Sequence, residues 1–195
     1  MKARKAKVSR KTKETEVSVE IGLDRISTAK IGTTIPFVDH MLTLMAYHGD
    51  FGLKLKACGD TEIDDHHLVE DIGITLGQAL SKALGSKKGI NRYGSFLLPM
   101  DEALSYVAID VSGRPYLNFK VKFKNQRTGF DFDLLNDFFY ALAINAGITL
   151  HIEMKSGRNN HHIAESIFKG FGRALSQAVS PASKRKGVPS TKGRI

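Results

Sequence analysis

The chain has 195 residues, 42% of them hydrophobic and 25% charged, which is enough to bury a sizeable core. Its lone Cys58 excludes a disulfide framework and points to a reducing, cytoplasmic setting, and no apolar run reaches the ~20 residues of a membrane span. The net charge of +9 gathers at the two ends, with no zinc-finger spacing or aromatic RNA-reading motif to turn it into a nucleic-acid function.

Taken in order, the first dozen residues (Lys2, Arg4, Lys5, Lys7, Arg10 and Lys11 among them) read as a solvated basic tail. Val17, Val19 and Ile21 alternate as a strand with one buried face, and a shorter strand follows to about Ile31. Pro36 opens a helix carrying Phe37, Met41, Leu44, Met45 and His48, broken by Gly49 and Gly52. Phe51, Leu53, Leu55 and Ala57 alternate as the next strand, Gly59 closes it, and the acidic TEIDD segment leads into a helix from His66 to near Gly85. Lys87–Met100 reads as a connection. The second half then repeats the order: strands at 103–111 and 117–123, a helix from Phe132 to Ala146, a strand through Ile148, Leu150, Ile152 and Met154, and a helix over 161–180 stopped at Pro181. Each half, 8–88 and 89–195, reads ββαβα, an α+β layering of sheet and helices.

The two long helices are copies. HHLVEDIGITLGQALSKAL (66–84) and HHIAESIFKGFGRALSQAV (161–179), aligned at a shift of 95, match at nine of nineteen positions. His66, His67 and Glu70 thus recur as His161, His162 and Glu165, and paired units imply paired sites. Two imidazoles and a carboxylate on one helical turn are metal-ligand chemistry. Neighbouring histidines lie about 100° apart around a helix, so each pair is expected to serve two ions, or an ion and a substrate. His40, in the string VDHML, and His151, on the polar face of its strand, are the spare imidazoles. The eight donors together suit two cations with open positions, and their lack of thiolate favours Mn, Fe or Zn over a structural zinc. A single HHxxE is often surface decoration; two in register within a repeated helix are not. His48 reads either as a helix-terminal histidine favoured by the dipole or as a substrate neighbour.

The strings TKET (12–15), IPFVDHML (35–42), HHLVEDIGI (66–74) and GINRYGSFLLPMDEAL (89–104) carry a resemblance, as do SGRPYL (112–117), LHIEMKSGRNNHH (150–162), ESIFKGFGRAL (165–175) and PSTKG (189–193). Together they resemble the imidazoleglycerol-phosphate dehydratase family of histidine biosynthesis. The resemblance implies a duplicated ββαβα unit with two four-stranded sheets and helices packed on one side, a ribosomal protein S5 domain 2-like fold. It implies a cytoplasmic homo-oligomer of 24 subunits with active sites at interfaces, and conversion of imidazole glycerol phosphate to imidazole acetol phosphate and water. Two Mn2+ per subunit would stabilise an imidazolate intermediate, held among His40, His66, His67, Glu70, His151, His161, His162 and Glu165. One ion would take His40, His67, Glu70 and a histidine of the second pair; the other would take His66, His151, Glu165 and the remaining histidine. Copy two departs from the pattern in having Asp137 where copy one has His40, so His151 is expected to supply the missing imidazole.

The resemblance also makes Glu14 the acid–base carboxylate, although its own surroundings read as a solvated glutamate in a charged strand. It assigns substrate or phosphate contacts to Arg92, Arg114, Lys169, Ser190, Thr191 and Lys192, with His48 beside the substrate. Arginine suits that role because its fork donates two bonds to phosphate oxygens. No second catalytic domain is expected beyond the PSTKG tail. Two other readings compete: an RNA- or phosphate-binding module suggested by the +9 charge, and a metal-dependent hydrolase. Neither a nucleic acid nor a membrane is expected as a partner.

Overall fold

The basic start of the chain is a strand, not a tail. In the computed structural model, which describes residues 3–24, 29–124, 129–183, 187–193 and 195, β1 (Lys5–Lys11) pairs antiparallel with β2 (Thr15–Gly22), Lys5 opposite Gly22 and Lys11 opposite Glu16. Only Val8 of β1 is buried. The strand lies at a sheet edge, where charged side chains face water and guard the unpaired backbone, so no apolar alternation marks it. The segment expected to connect the halves conceals the same element. β5 (Tyr93–Met100) pairs with β6 (Ala103–Asp110) along its whole length, and at this edge position Pro99 does without a donor. A further strand thus precedes ββαβα in each half and completes the four-stranded sheets.

The remaining elements are β3 (Lys30–Gly32), α1 (Pro36–His48), β4 (Gly52–Gly59), α2 (His66–Leu84), β7 (Tyr116–Lys120), α3 (Leu134–Ala146), β8 (Thr149–Ser156) and α4 (Asn160–Val179). One sheet runs β1-β2-β4-β3 and the other β5-β6-β8-β7. In each, the third and fourth strands are parallel and joined through a helix, as parallel neighbours require. The fold is α+β with duplicated units.

The helices lie against one face of each sheet and interlock across the halves. α2 packs on β1 and β2, and α4 on β5 and β6; α1 crosses α4, and α3 crosses α2. Two repeated glycines permit those crossings. A Cβ on Gly77 would stand 2.6 Å from the Leu142 carbonyl oxygen of α3, and one on Gly172 would collide with the Met45 carbonyl oxygen of α1. Around them Phe138, Phe139, Phe168 and Phe171 form an aromatic centre, with Phe139 and Phe168 ring centroids 5.0 Å apart. One continuous hydrophobic core runs from Val8 to Val179, so the short helix of each half is buried by the long helix of the other.

Candidate metal and substrate site

The α1–α4 crossing carries a cluster of donors. α1 starts where Asp39 Oδ1 accepts the Thr33 backbone N–H at 2.8 Å and its hydroxyl at 2.7 Å; α4 starts where the Asn159 side chain accepts the His161 N–H. One turn into α1, His40 Nε2 stands 2.9 Å from Glu165 Oε1, and His161 Nε2, in the first turn of α4, stands 3.0 Å from the same oxygen. The second oxygen of Glu165 accepts from Lys169 Nζ at 2.5 Å. Burial opposes charge on Glu165, but Lys169, His40 and His161 outweigh it and bring its carboxyl down to about 2. It is ionised at neutral pH. Two imidazole nitrogens and one carboxylate oxygen within 4.8 Å of one another give a divalent cation a three-point grip, and hard-to-borderline N/O donors fit Mn2+. Among the described residues no other trio meets this spacing.

This grouping brings together His40 and Glu165, which the expected partition placed on different ions. Helix crossing decides it: His40 comes from the first half, His161 and Glu165 from the second. The neighbouring histidines diverge as their helical offset requires. His162 Nδ1 donates to Glu102 Oε2 at 2.7 Å, and His67 Nδ1 donates to Asp60 Oδ2 at 3.0 Å. A carboxylate on Nδ1 sets the tautomer and frees Nε2 as a ligand. Both histidines are pulled above their ordinary value, His162 chiefly by its bond to Glu102 and His67 chiefly by its bond to Asp60, with Glu14 adding to the latter.

The pseudo-equivalent crossing of α2 and α3 brings His66 Nδ1 3.6 Å from Asp137 Oδ2, the residue standing where the first half has His40. His66, His67, Glu70 and His151 do not join the His40 trio within one chain. His151 lies on the outer face of the second sheet, with Leu150 and Ile152 buried on the other, and its Nδ1 is 3.2 Å from the Asn118 side-chain nitrogen.

The expected phosphate contacts fall into two groups. Arg92 donates from Nε and Nη2 to Asp110 at 2.7 and 3.0 Å, and from Nη1 to the Pro189 carbonyl at 3.0 Å. Its fork is therefore engaged in docking the C-terminal segment. Arg114 Nη2 lies 3.7 Å from the same Asp110 and its side chain is 70% exposed. Ser190 accepts from the Lys192 and Gly193 N–H groups, folding the tail in a tight turn there, with Thr191 at its tip. Lys169 sits at the far end of β5, 3.4 Å from Met100 Sδ, roughly 25 Å away by strand rise. One phosphate cannot touch both groups within a single chain. His48, ending α1, is pulled below its ordinary value chiefly by burial, with the nearby Lys169 and Arg173 adding to it.

Sequence reasoning missed Asp60, Glu102 and Asp110, the carboxylates that orient His67, His162 and Arg92. Glu102 was within reach: it precedes β6 as Glu14 precedes β2, an equivalence hidden only because β1 and β5 were not recognised.

An α+β protein with duplicated units carries at its helix crossing an imidazole–carboxylate cluster that could hold a metal ion, the form of an enzyme whose site lies between its halves. Comparison makes this specific. Residues 33–175 match the family model for imidazoleglycerol-phosphate dehydratase. The chain is 66% identical over 193 residues to the Endomicrobium trichonymphae imidazoleglycerol-phosphate dehydratase, covering 99% of each chain. It is 57% identical to that of Syntrophus aciditrophicus, over 97% of this chain and 98% of the other. The crystal structure of the Staphylococcus aureus dehydratase superposes with a TM-score of 0.82 at 41% identity, over 91% of this chain and 99% of the other. The Pyrococcus furiosus protein, solved in complex with (S)-C348, gives 0.83 at 40%, over 96% and 100%. The chain belongs to the imidazoleglycerol-phosphate dehydratase family, hydro-lyases of histidine biosynthesis. No helix among the described residues is long and apolar enough to cross a membrane.

Proposed function

We propose that the protein removes water from imidazole glycerol phosphate to give imidazole acetol phosphate, in the cytoplasm, with two Mn2+ per subunit and in a homo-oligomer of 24 subunits. The observation that carries the metal reading is the convergence of His40, His161 and Glu165 from opposite halves of the chain. In this reading His40, His161 and Glu165 hold one ion, while His66, His67, Glu70, His151 and His162 supply the remaining ligands, some from a neighbouring copy. Divalent ions held by these residues would supply positive charge beside the imidazole ring, chemistry that would ease its deprotonation and the loss of the hydroxyl.

The chain's own residues do the rest. Glu14, exposed at the tip of the β1–β2 turn and close enough to add to the charge around His67, moves the proton on the substrate side chain. Lys169 points into the centre with Glu165 and so meets an anion there. Arg92, Arg114, Ser190, Thr191 and Lys192 offer cations and donors for phosphate from the other end of β5. Their separation from Lys169 supports an active centre made by two copies, each giving one group. His48, pulled below its ordinary value by burial and by Lys169, serves as a hydrogen-bonding partner for substrate.

The experiment is metal analysis of the purified protein, a sizing measurement and a dehydration assay, repeated after dialysis against a strong chelator. The reading requires close to two Mn2+ per subunit, a large assembly, and turnover that disappears on chelation and returns with Mn2+. Full dehydration by the chelated protein sinks it, and so does full activity in a His67→Ala, His162→Ala double variant.

A further inference from the structure

The glutamates that precede β2 and β6 occupy equivalent places in the two halves, yet they are held in opposite ways. Glu102 is fully engaged: His162 Nδ1 donates to Oε2 at 2.7 Å, and the Asn159 and Arg158 N–H groups to Oε1 at 2.9 and 3.2 Å. So bonded, both of its oxygens are committed to partners within the chain. For Glu14, no hydrogen bond or ion pair among the described residues takes the carboxylate. What is held instead is the turn around it.

Thr12 Oγ1 accepts the Glu14 N–H at 3.1 Å and the Thr15 N–H at 2.9 Å, and the Thr12 N–H donates to the Thr15 carbonyl at 2.9 Å. Thr12 and Thr15 hydroxyl oxygens are 3.2 Å apart, and the Thr15 hydroxyl donates to Asp71 Oδ2 in a short hydrogen bond. A hydroxyl has one proton, so the chain has one direction: Thr12 donates to Thr15, and Thr15 to Asp71. Asp71 is 6% exposed on α2, next in sequence to Glu70, and its other oxygen accepts Arg10 Nε from β1 at 2.7 Å. Charge-assisted, buried bonds of this kind fix geometry more firmly than exposed ones.

Among the described residues the second half has no such arrangement. At the shift of 95, Ser166 replaces Asp71, and its hydroxyl donates back to Ile163 of its own helix at 2.8 Å. Strand pairing puts Ala103 in the place of Thr15 and Leu98 in that of Arg10.

We propose that Asp71, acting through Thr15 and Thr12 and braced by Arg10, is a positioning residue that holds the Glu14 turn against the start of α2 while leaving the Glu14 carboxylate free to exchange a proton. The duplicated turn thus serves two purposes: in one half its glutamate orients a histidine, and in the other it is presented to substrate by a clamp beneath it. This rests on the reading of Glu14 as the acid–base group, and it adds a residue whose loss should act on turnover through geometry alone.

The test uses the full-length Mn2+-loaded protein. Thr15→Val keeps the shape and removes the hydroxyl; Thr15→Ser restores it. Thr15→Val should lose about tenfold or more in kcat with KM and metal content within about twofold of wild type, and Thr15→Ser should recover at least about a third of kcat. Amide exchange of Glu14 and Thr15 should accelerate about tenfold in Thr15→Val and return towards wild type in Thr15→Ser. In a Glu14→Gln background, Thr15→Val should cost little further. Unchanged exchange in Thr15→Val overturns the clamp, as does an equal loss of kcat with or without Glu14. Normal turnover in Glu14→Gln alone overturns the acid–base reading separately, and the exchange measurement then still decides whether the clamp exists.

Discussion

His40 and Glu165 lie 125 positions apart in sequence and 2.9 Å apart in space, Nε2 to Oε1. The contact exists only because a helix of the first half crosses a helix of the second. Glu165→Ala should therefore damage two things. It removes the anion facing Lys169, whose side chain is 14% exposed, and should cost about 3 kcal/mol in the metal-free protein, at the low end for a buried pair because the histidines are half open. It should also lower the bound Mn2+ by about one per subunit. Unchanged metal content would reject the trio as a ligand set.

Metal affinity should depend steeply on pH. His67 and His162 are raised from 6.5 by their bonds to Asp60 and Glu102, so competition between proton and cation at these rings extends to higher pH than at a free imidazole. Affinity should rise by about a decade per pH unit for each proton displaced, up to the raised histidine value. Calorimetric titration with Mn2+ at several pH values measures the slope; a flat profile would exclude both histidines as ligands.

The Glu102–His162 pair makes an opposite demand on the metal-free protein. Glu102 is depressed from 4.5 to about 2, so its contribution is present above 4.5 and is lost as pH falls towards 2. His162 is raised, so its contribution is complete below 6.5 and is lost as pH rises through its folded value. Thermal unfolding of the chelated protein should show this pair's stabilisation between those limits, and Glu102→Gln should flatten that part of the profile.

Gly172→Ala tests the interlocking of the halves. The added Cβ meets the Met45 carbonyl oxygen, which belongs to backbone and cannot swing aside. A loss of about 2 kcal/mol is expected, read as a Tm drop of about 5 °C. A stability equal to wild type would mean that α1 and α4 separate at no cost.

Arg92→Ala should act first on the tail. Without its bond to the Pro189 carbonyl, the Ser190–Lys192 turn loses its dock on β5, and proteolysis there should accelerate. If the tail closes over phosphate as proposed, KM should rise more than kcat falls, and Lys192→Ala should share that signature. An unchanged KM in both variants would remove the tail from the substrate site.

The duplication, the four helices and the donor types are legible in the chain because they are local. Helical spacing, a shift of 95 and HHxxE need only neighbours along the sequence to be read, and α2 and α4 appear close to where periodicity puts them. β1 and β5 are not legible for a physical reason. Edge strands face water on most of their surface, so Lys5–Lys11 carries charge instead of alternation and Tyr93–Met100 carries a proline. Tertiary structure alone decides the pairing of His40 with Glu165, the carboxylates behind His67 and His162, and the parting of Arg92 from Lys169 along β5. Those relationships are distances between residues far apart in the chain, created when two glycine-cut crossings lock the halves together, and no periodicity within either half encodes them.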